Sequence, residues 1–433
     1  MKAVFLTAGA AGMYCGSCMH DNALVKALRQ RGVDCLLQPV YTPIRTDGES
    51  VATDQVFFGG IHVYLLQQWP WLRRMPRPLW RLLDWPPLIR WATSRAHSTD
   101  AAKLGDLAVS MLRGAEGRQA DEVARMVEWL QNEIKPSAIV FSNLLIAGAL
   151  PQIRESLPDC KIIVMLQGDD IFLDHLPKAP RDEAIKLCRG LISHVDHVVV
   201  NSNFYGQKMG SILSIPQEKI VIAPLSIDTG PFGQPPPVLQ PSPGSDEFRL
   251  GYLARIAPEK GLHHLVEAFI RLARATGNED LTMNVAGWLG EANREYLRSL
   301  EDKIAKAGLS DRFTYDGSPE LVEKVAWLRR LDLLSVPTDY EDPKGLFVLE
   351  ALAAGVPVVQ PDHGAFGELI ESTGGGRVYP AGDIDQLCRL IQVFKDDASL
   401  RSELAMEGYT NVRRKHSIET AAAQLHALIR QTP

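Results

Sequence analysis

Short apolar runs alternate with stretches of helical periodicity along the chain. In its first half these runs are Val4–Thr7, Cys35–Pro39, Ala138–Phe141, Ile162–Leu166 and His197–Val200. They are apolar throughout, which is typical of parallel strands covered on both faces. Helical patterns such as Asp21–Arg31 and Glu122–Lys135 lie between several of them. Strands that alternate with helices predict parallel sheets with right-handed crossover connections.

A proline-rich break interrupts the alternation at residues 229–247. Such a segment forms neither a helix interior nor a central strand. The alternation then restarts with predicted strands at Phe248–Leu253, Leu281–Ala286, Phe313–Asp316, Leu333–Val336 and Pro357–Gln360, and with predicted helices at Gly261–Ala275, Glu291–Ala307, Leu321–Arg329 and Phe347–Ala354. The sequence therefore predicts two Rossmann-like, doubly wound domains at 1–228 and 248–410. The break is the linker, and a helical tail follows at 411–433.

Composition narrows the class of protein. The 433 residues carry a formal net charge of −6, which argues against a general nucleic-acid-binding protein. The six cysteines are scattered, mostly in apolar runs, and this pattern predicts free thiols in the cytoplasm. No apolar stretch is long enough to span a bilayer. The opening residues predict a first buried strand rather than a signal peptide.

The strongest chemical pattern is the segment from Gly251 to Gly261. Arg255 and Lys260 lie in it, between a predicted strand and a predicted helix. Two cations beside a helix N-terminus are typical of a site for a diphosphate. A solvated basic loop is the alternative interpretation.

A second pattern spans Tyr340 to Gly355. Asp342 lies in a turn, and Glu350 lies within an otherwise apolar helix that Gly345 and Leu346 open. Carboxylates accept hydrogen bonds from paired sugar or ribose hydroxyls, and the helix opening offers free amides. Alternatively, Glu350 caps a neighbour or pairs with a lysine. A glycine-containing loop follows at 361–368, where the backbone has the freedom to approach a ligand closely.

Taken in order, these segments resemble the retaining glycosyltransferases of family 4, which have the GT-B architecture of two domains facing a central cleft. The resemblance is close from Phe248 to about Glu371 and loose elsewhere. It implies catalytic roles for Arg255, Lys260, Asp342 and Glu350. It also implies that the donor is bound by Gly16, Arg255, Lys260, Gly345, Leu346, Glu350, Gly364, Ala365 and Phe366. In this scheme Arg255 and Lys260 hold the diphosphate, Glu350 the ribose and Asp342 the sugar.

Two positions depart from the family pattern. The first carboxylate is usually Glu, whereas this chain has Asp342 with Glu341 just before it. The shorter side chain alters donor preference, or Glu341 reaches in instead. Relatives also often carry His near the position of Gln167, so the usual role does not transfer cleanly.

Candidate acceptor residues lie at predicted strand ends of the N-terminal domain. They are Gln167, Asp169, Asp170 and Asn143. Helix capping is an equally good interpretation for either aspartate, because Asp after a strand often starts the next helix. Cys15 and Cys18 form a CxxC pair near His20, but no second ligand pair follows, so structural or substrate-lining roles are favoured over a metal or redox site.

The segment Trp69–Arg95 contains five tryptophans and six arginines against one acid, Asp84. Such a composition suits a packed or acceptor-lining insertion, in which arginine stems cover apolar surface. It also suits peripheral contact with the inner face of a membrane. The first interpretation is favoured because five prolines break any long amphipathic face.

The resemblance implies transfer of a sugar from a UDP-, GDP- or ADP-sugar to a hydroxyl acceptor, lipid-linked sugars included, with retention of configuration. It also implies that the C-terminal helix crosses back to the first domain. No metal and no other cofactor are expected, because the chain has no Asp-x-Asp in a metal-binding context and two cations already face the diphosphate. Two other functions stay open: a sugar-nucleotide epimerase, and a sensor that binds sugar nucleotide without catalysis.

Overall fold

The computed structural model describes residues 2–9, 16–44, 50–53, 56, 101–233 and 247–430. The chain divides into two compact units, the first made of Met1–Ala223 with Ala421–Pro433 and the second of Pro224–Thr420. The first division, after Ala223, lies slightly before the predicted domain end at residue 228. The second, after Thr420, lies slightly after the predicted domain end at residue 410. Most of the predicted linker, as well as Trp69–Arg95 and Cys15, lies outside the described residues.

The first unit is built on a six-stranded sheet in which every pairing is parallel. Its strands are β1 (Lys2–Thr7), β2 (Asp34–Pro39), β3 (Ala138–Phe141), β4 (Lys161–Met165), β5 (His197–Val200) and β6 (Ile220–Ile222). The order across the sheet is β2-β1-β3-β4-β5-β6. The strand order reverses between β1 and β3, and open α/β sheets bind ligands beyond the carboxyl ends of strands at such a switch point.

Helices pack around this sheet. They are α1 (Gly16–Gln30), α2 (Ala101–Leu112), α3 (Ala120–Trp129), α4 (Leu150–Ser156), α5 (Asp169–Asp174), α6 (Lys178–Leu191) and α7 (Asn203–Leu213). The predicted helix at 122–135 ends differently from expectation, because α3 passes into a π-helical turn at Leu130–Ile134. Lys135 then takes a left-handed conformation with φ 51° and stops the helix.

The second unit repeats the design with another parallel sheet of six strands. Its strands are β7 (Phe248–Leu253), β8 (Leu281–Ala286), β9 (Phe313–Tyr315), β10 (Leu333–Leu334), β11 (Val358–Pro361) and β12 (Gly376–Tyr379). The order is β12-β11-β10-β7-β8-β9, so the switch point lies between β10 and β7. The carboxyl ends of these two strands lead into the Arg255/Lys260 loop and the Asp342 loop.

The helices of the second unit include the one on which Glu350 lies. They are α8 (Leu262–Ala273), α9 (Arg294–Lys306), α10 (Leu321–Leu328), α11 (Leu346–Ala353), α12 (Phe366–Thr373), α13 (Ile384–Asp396) and α14 (Ala398–Lys415). A last helix, α15 (Ile418–Arg430), starts in this unit, and its residues from Ala421 onward group with the first unit.

Each unit has its own apolar core. In α8 the buried positions Leu262, Leu265, Val266 and Phe269 follow helical spacing, so one face packs on the sheet. The predicted class of two doubly wound α/β units is confirmed. Strands β6 and β12 were not predicted, because β6 has only three residues and β12 starts directly after glycines. Among the described residues, no helix is long and apolar enough to cross a membrane.

Candidate functional site

Three loops of the second unit come together beyond the carboxyl ends of β7, β10 and β11. They carry Lys260, Asp342 and Gly364, each from a different predicted motif. The first loop ends in a 3-10 turn at Pro258–Lys260, and Gly261 follows with φ +71°. A Cβ atom at Gly261 would lie 1.6 Å from the Pro337 carbonyl oxygen. Glycine is therefore required there for the first loop to pack against the second.

An ion pair joins these two loops. Lys260 Nζ lies 2.7 Å from Asp342 Oδ2, and both side chains are largely buried. The Tyr340 hydroxyl bonds to the same ammonium group and donates to Asp342 Oδ2 at 3.0 Å. Burial alone would raise the pKa of Asp342, but the charge and hydrogen bond of Lys260 outweigh it and hold this pKa below its ordinary value. Asp342 is therefore a carboxylate that fixes the lysine in place.

Both oxygens of Asp342 accept hydrogen bonds from the protein. Oδ1 accepts from the amides of Lys344 at 3.0 Å and Gly345 at 3.3 Å, and Oδ2 faces Lys260 and Tyr340. The Gly345 amide was expected to face a ligand, but in this structure it donates to the Asp342 side chain. The assignment of Asp342 to a sugar stays a prediction, and in this structure its carboxylate serves Lys260.

The third loop packs directly on the second. Gly364 has φ +59°, and a Cβ atom there would lie 2.5 Å from the Asp342 carbonyl oxygen. The Ala365 amide donates to that same oxygen at 2.9 Å. The ring of Phe366 is fully buried, and it lies where a Cβ atom on Gly345 would be. The predicted residues at 345 and 364–366 are therefore neighbours of Lys260 through Asp342.

Arg255 and Glu350 have other partners. Arg255 is half exposed and forms an ion pair with Glu259 at 2.7 Å. Such exposed pairs contribute only about 0–1 kcal/mol, so an anion competes for this guanidinium at low cost. Glu350 Oε1 accepts from Lys324 Nζ at 2.7 Å, with both side chains mostly buried. This is the lysine pairing that the sequence left open, although nothing in the sequence pointed to Lys324.

One group in this unit has the donors for a metal ion. His263, His264 and Asp339 place one ligand atom each within 4.8 Å of one another. In this structure His264 Nε2 bonds to Asp339 Oδ1 at 2.6 Å, and His263 Nδ1 lies 3.0 Å from the Tyr296 hydroxyl. The sequence analysis missed this group, because only the histidine pair next to Gly261 marks it. This group is connected to the Arg255/Lys260 loop by the Asp339 amide, which donates to the Glu259 carbonyl at 3.0 Å.

The first unit contains a cavity of about 460 Å³ at the carboxyl ends of β1, β3 and β4. It is lined by Thr7, Ala8, Gly9, Ser17, Cys18, Tyr41, Leu107, Ala108, Met111, Ser142, Asn143, Leu145, Ile146, Gln167, Gly168, Asp169 and Phe172. Three of the four predicted acceptor residues lie here. Asp170 is not among the lining residues, since its carboxylate bonds to Tyr205 at 2.9 Å and Lys208 at 2.9 Å. Gly16 starts α1 next to Ser17.

A buried polar network supports one side of this cavity. Asp21 is fully buried and accepts hydrogen bonds from Thr7 Oγ1 at 3.0 Å and Gln167 Nε2 at 2.9 Å. Asp169 accepts from the amides of Leu144 at 2.9 Å and Gln167 at 3.0 Å. Asp169 therefore joins two loops. Its side chain does not cap α5, whose N-cap is Gly168 with no side-chain hydrogen bond, so the capping alternative is wrong for Asp169. Asp21 was not predicted as part of the site, because a lone Asp in a helix pattern carries no signal.

Cys18 lies close to this network. It is buried, and its sulfur lies 3.9 Å from Thr7 Oγ1. Among the described residues, the cluster with donors for a metal does not include Cys18.

Two parallel sheets of this kind define the GT-B class, and solved structures share the fold. Anabaena HepE in complex with UDP superposes with a TM-score of 0.69 at 17% identity, and each chain is covered to 99%. Sucrose-phosphate synthase from Thermosynechococcus elongatus gives a TM-score of 0.71 at 17% identity, covering 100% of this chain and 99% of that one. The GT-B fold is therefore shared along the whole chain.

The family model described as glycosyl transferases group 1 matches residues 240–411. The lipopolysaccharide core biosynthesis mannosyltransferase LpsB of Rhizobium meliloti is 30% identical over 247 residues, which are 55% of this chain and 66% of LpsB. The 2-deoxystreptamine glucosyltransferase of Streptomyces kanamyceticus is 32% identical over 156 residues, 36% of this chain and 38% of that protein. The matched region thus spans 66% or less of these relatives. Residues 240–411 therefore match the glycosyl transferases group 1 model, within a chain of GT-B fold.

Proposed function

We propose that this protein is a retaining, metal-independent glycosyltransferase that moves a sugar from a nucleoside diphosphate sugar to a hydroxyl acceptor. The observation that carries the proposal is the buried ammonium of Lys260, fixed by Asp342 and Tyr340 at the switch point of the second sheet. Relatives named as mannosyl- and glucosyltransferases match part of this chain, and the neighbour HepE is solved in complex with UDP and UDP-glucose.

Lys260 is prepared to meet a developing negative charge. An ammonium group has three donors, and two of them serve Asp342 and Tyr340, which leaves one for a ligand. Because this lysine is already ordered, no reorganisation is needed when the diphosphate leaves. Fixed donors aimed at developing charge usually provide the largest part of catalysis. Arg255 adds a second cation once the diphosphate competes with Glu259.

Glu350 is the proposed ligand of the ribose hydroxyls. Its Oε1 is bonded to Lys324, while Oε2 remains to accept from the donor. Every other α11 residue from Phe347 to Ala353 is buried, so a partly exposed carboxylate is unusual in this helix. The pairing with Lys324 orients the carboxylate in either role, so a functional measurement is needed to separate a ribose ligand from a structural ion-pair residue.

Retention of configuration rests on the family resemblance. Independence from metal rests on the two cations, Arg255 and Lys260. The proposal assigns charge neutralisation to Arg255 and Lys260 rather than to a divalent ion. The acceptor side is assigned to the cavity of the first unit, where Gln167, Asp169 and Asn143 lie.

The test is release of nucleoside diphosphate from UDP-, GDP- and ADP-sugars in the presence of EDTA. We expect release from one donor by the wild type, and loss of release in the Arg255→Ala/Lys260→Ala double variant. Arg298→Ala/Lys306→Ala on α9 is the matched control, because both of its side chains are exposed. NMR of the product should show the anomeric configuration of the donor sugar.

Other outcomes point to the remaining functions. A change in the sugar nucleotide without any acceptor would indicate an epimerase. Tight binding of a sugar nucleotide, with neither release nor conversion in a broad acceptor panel, would indicate a sensor. An inverted anomeric centre would remove the retaining part of the proposal.

A further inference from the structure

The cavity of the first unit has an unusual balance of polar and apolar walls. One side is formed by α2, which contributes Leu107, Ala108 and Met111 at helical spacing. Further apolar walls come from Leu145, Ile146, Phe172, Tyr41 and Cys18. A volume of about 460 Å³ falls within the range of pockets that enclose a small organic ligand. Most of the surface of such a ligand would contact apolar side chains.

The polar groups of the cavity lie on the strand-end side and are largely bonded to each other. Thr7 and Gln167 donate to Asp21, Ser142 donates to Thr7 at 3.3 Å, and Asp169 holds two amides. Asn143 differs. Its Oδ1 accepts from the Ile146 amide at 3.1 Å, and its Nδ2 has no protein partner within the described part of the chain. The Asn143 amide nitrogen is therefore a donor for a ligand oxygen.

Charge is the second distinguishing feature. No lysine, arginine or histidine occurs among the described residues that line the cavity. Asp169, the acidic residue among the described lining residues, accepts hydrogen bonds from backbone amides. A phosphate or carboxylate in this cavity would lose its hydration without gaining a counter-charge from the described walls, and burial of an unpaired ion is strongly unfavourable. The described walls thus select against an anionic ligand.

We propose that this cavity binds an uncharged acceptor that joins an apolar body, either a ring or a chain, to a hydroxyl-bearing group held by Asn143. This inference rests on the proposed function, because it names the class of acceptor for the same reaction. Acceptors whose recognised part is an acidic sugar or a phosphate are excluded from the cavity.

Direct binding by calorimetry tests the inference without turnover. The probes are n-octyl β-D-glucopyranoside below its micelle concentration, phenyl β-D-glucopyranoside, the anionic n-octyl β-D-glucuronide and methyl β-D-glucopyranoside. We expect the octyl or phenyl glucoside to bind at least about tenfold more tightly than the glucuronide and the methyl glucoside. The octyl and phenyl arms separate a chain-bearing from a ring-bearing acceptor.

Variants locate the binding. Ala108→Trp fills the cavity and should weaken binding of the preferred glucoside at least about tenfold. Ala124→Trp, on an exposed position of α3, is the matched control and should bind like the wild type. Met111→Gln keeps the size of its side chain and serves if Ala108→Trp does not fold. Asn143→Asp retains the acceptor for the Ile146 amide but loses the donor, so it should weaken binding as well.

The results separate this inference from the proposed function. The inference is overturned if the wild type binds neither apolar glucoside, or binds the glucuronide or the methyl glucoside equally well. It is also overturned if binding is unchanged both in Ala108→Trp, or Met111→Gln in its place, and in Asn143→Asp. Nucleoside diphosphate release that persists in Ala108→Trp would then leave the transferase standing without this acceptor class. Binding of the octyl or phenyl glucoside by a protein that releases no diphosphate with any acceptor would retain the cavity and remove the transferase.

Discussion

The two units use the same scaffold for opposite environments. At the switch point of the second sheet, a buried lysine and a buried aspartate form an ion pair, with an arginine in the same loop. At the switch point of the first sheet, the described cavity walls are mostly apolar and carry no cation. One parallel sheet thus supports a cluster of charged side chains, and the other supports a mostly apolar cavity. The difference lies in the loops after the strands and not in the sheets.

This contrast also explains why the sequence predicted the charged site largely, but only the polar residues of the cavity. A cation pair before a helix and a carboxylate on an apolar helix stand out against their neighbours. The walls of the cavity come from residues that look like ordinary core, such as Leu107 and Ile146. The apolar walls of a pocket therefore cannot be distinguished from ordinary core residues until the fold is known.

Removing Lys260 should give the largest effect on kcat, because this lysine is the main charged group that distinguishes the second unit from the first. In Lys260→Ala we expect kcat to fall about 10²–10³-fold, since one preorganised donor to the leaving group is lost. The measurement is the rate of nucleoside diphosphate release at saturating donor. Lys306→Ala on α9 is the control for loss of a surface lysine. A Lys260→Ala enzyme with wild-type kcat would exclude Lys260 from charge stabilisation.

Replacing Asp342 tests whether the ion pair or the sugar is its partner. Asp342→Asn keeps the shape but leaves the buried Lys260 unpaired, so we expect the free energy of unfolding to drop by roughly 3 kcal/mol. Chemical denaturation of both proteins measures this. If Asp342 serves only a bound sugar, the apo variant should be as stable as the wild type.

The pH dependence of that difference sharpens the test. The pKa of Asp342 is lower in the folded protein than its ordinary value of 3.8, so the carboxylate stabilises the fold fully above that ordinary value. This contribution is lost as the pH falls from the ordinary value through the lowered one. The stability gap between wild type and Asp342→Asn should therefore narrow below about pH 4. A gap that stays constant in acid would mean that the charge of Asp342 is not the cause.

Glu350→Gln should have a smaller effect, confined to donor binding. Loss of a charged acceptor for ribose hydroxyls is worth about 1.5–3 kcal/mol, so we expect KM for the donor to rise roughly tenfold or more with little change in kcat. Lys324→Met removes the partner and leaves the carboxylate. If both variants only lose stability and bind donor normally, Glu350 is a structural ion-pair residue.

Much of the fold was predictable because hydrophobic periodicity reports local burial. Strands β3, β5, β7 and β8 have the predicted bounds, since their apolar runs end at polar or turn residues. Strand β10 is shorter than predicted. The Ser335 amide still donates to the Gly251 carbonyl of β7, but the Val336 amide donates to the side chain of Gln360 instead of to a strand. Burial of a run does not determine where its hydrogen-bonded pairing ends.

For the candidate site, sequence reasoning found the residues but not their partners. The loops at Lys260, Asp342 and Gly364 meet as the motif order implied. The pairing of Glu350 with Lys324 was missed, because it depends on how α10 and α11 are placed in three dimensions. The pairing of Asp342 with Tyr340 is local to one loop, but the sequence does not show which way the two side chains turn. Asp21 was missed for the same reason, since only the fold brings it to Thr7 and Gln167.

The smallest expected effect concerns the His263/His264/Asp339 group, where we expect no catalytic change. The proposed mechanism neutralises the diphosphate with side-chain cations, so neither EDTA nor the His263→Ala/His264→Ala double variant should alter kcat beyond about twofold, the scatter expected for a surface change. Rates with and without EDTA, together with the zinc content of the purified protein, measure this. Activity lost with EDTA and restored by zinc in the wild type, but not in the double variant, would make this group a functional metal site. The second unit would then neutralise charge with a metal as well as with Lys260, and its contrast with the first unit would become sharper still.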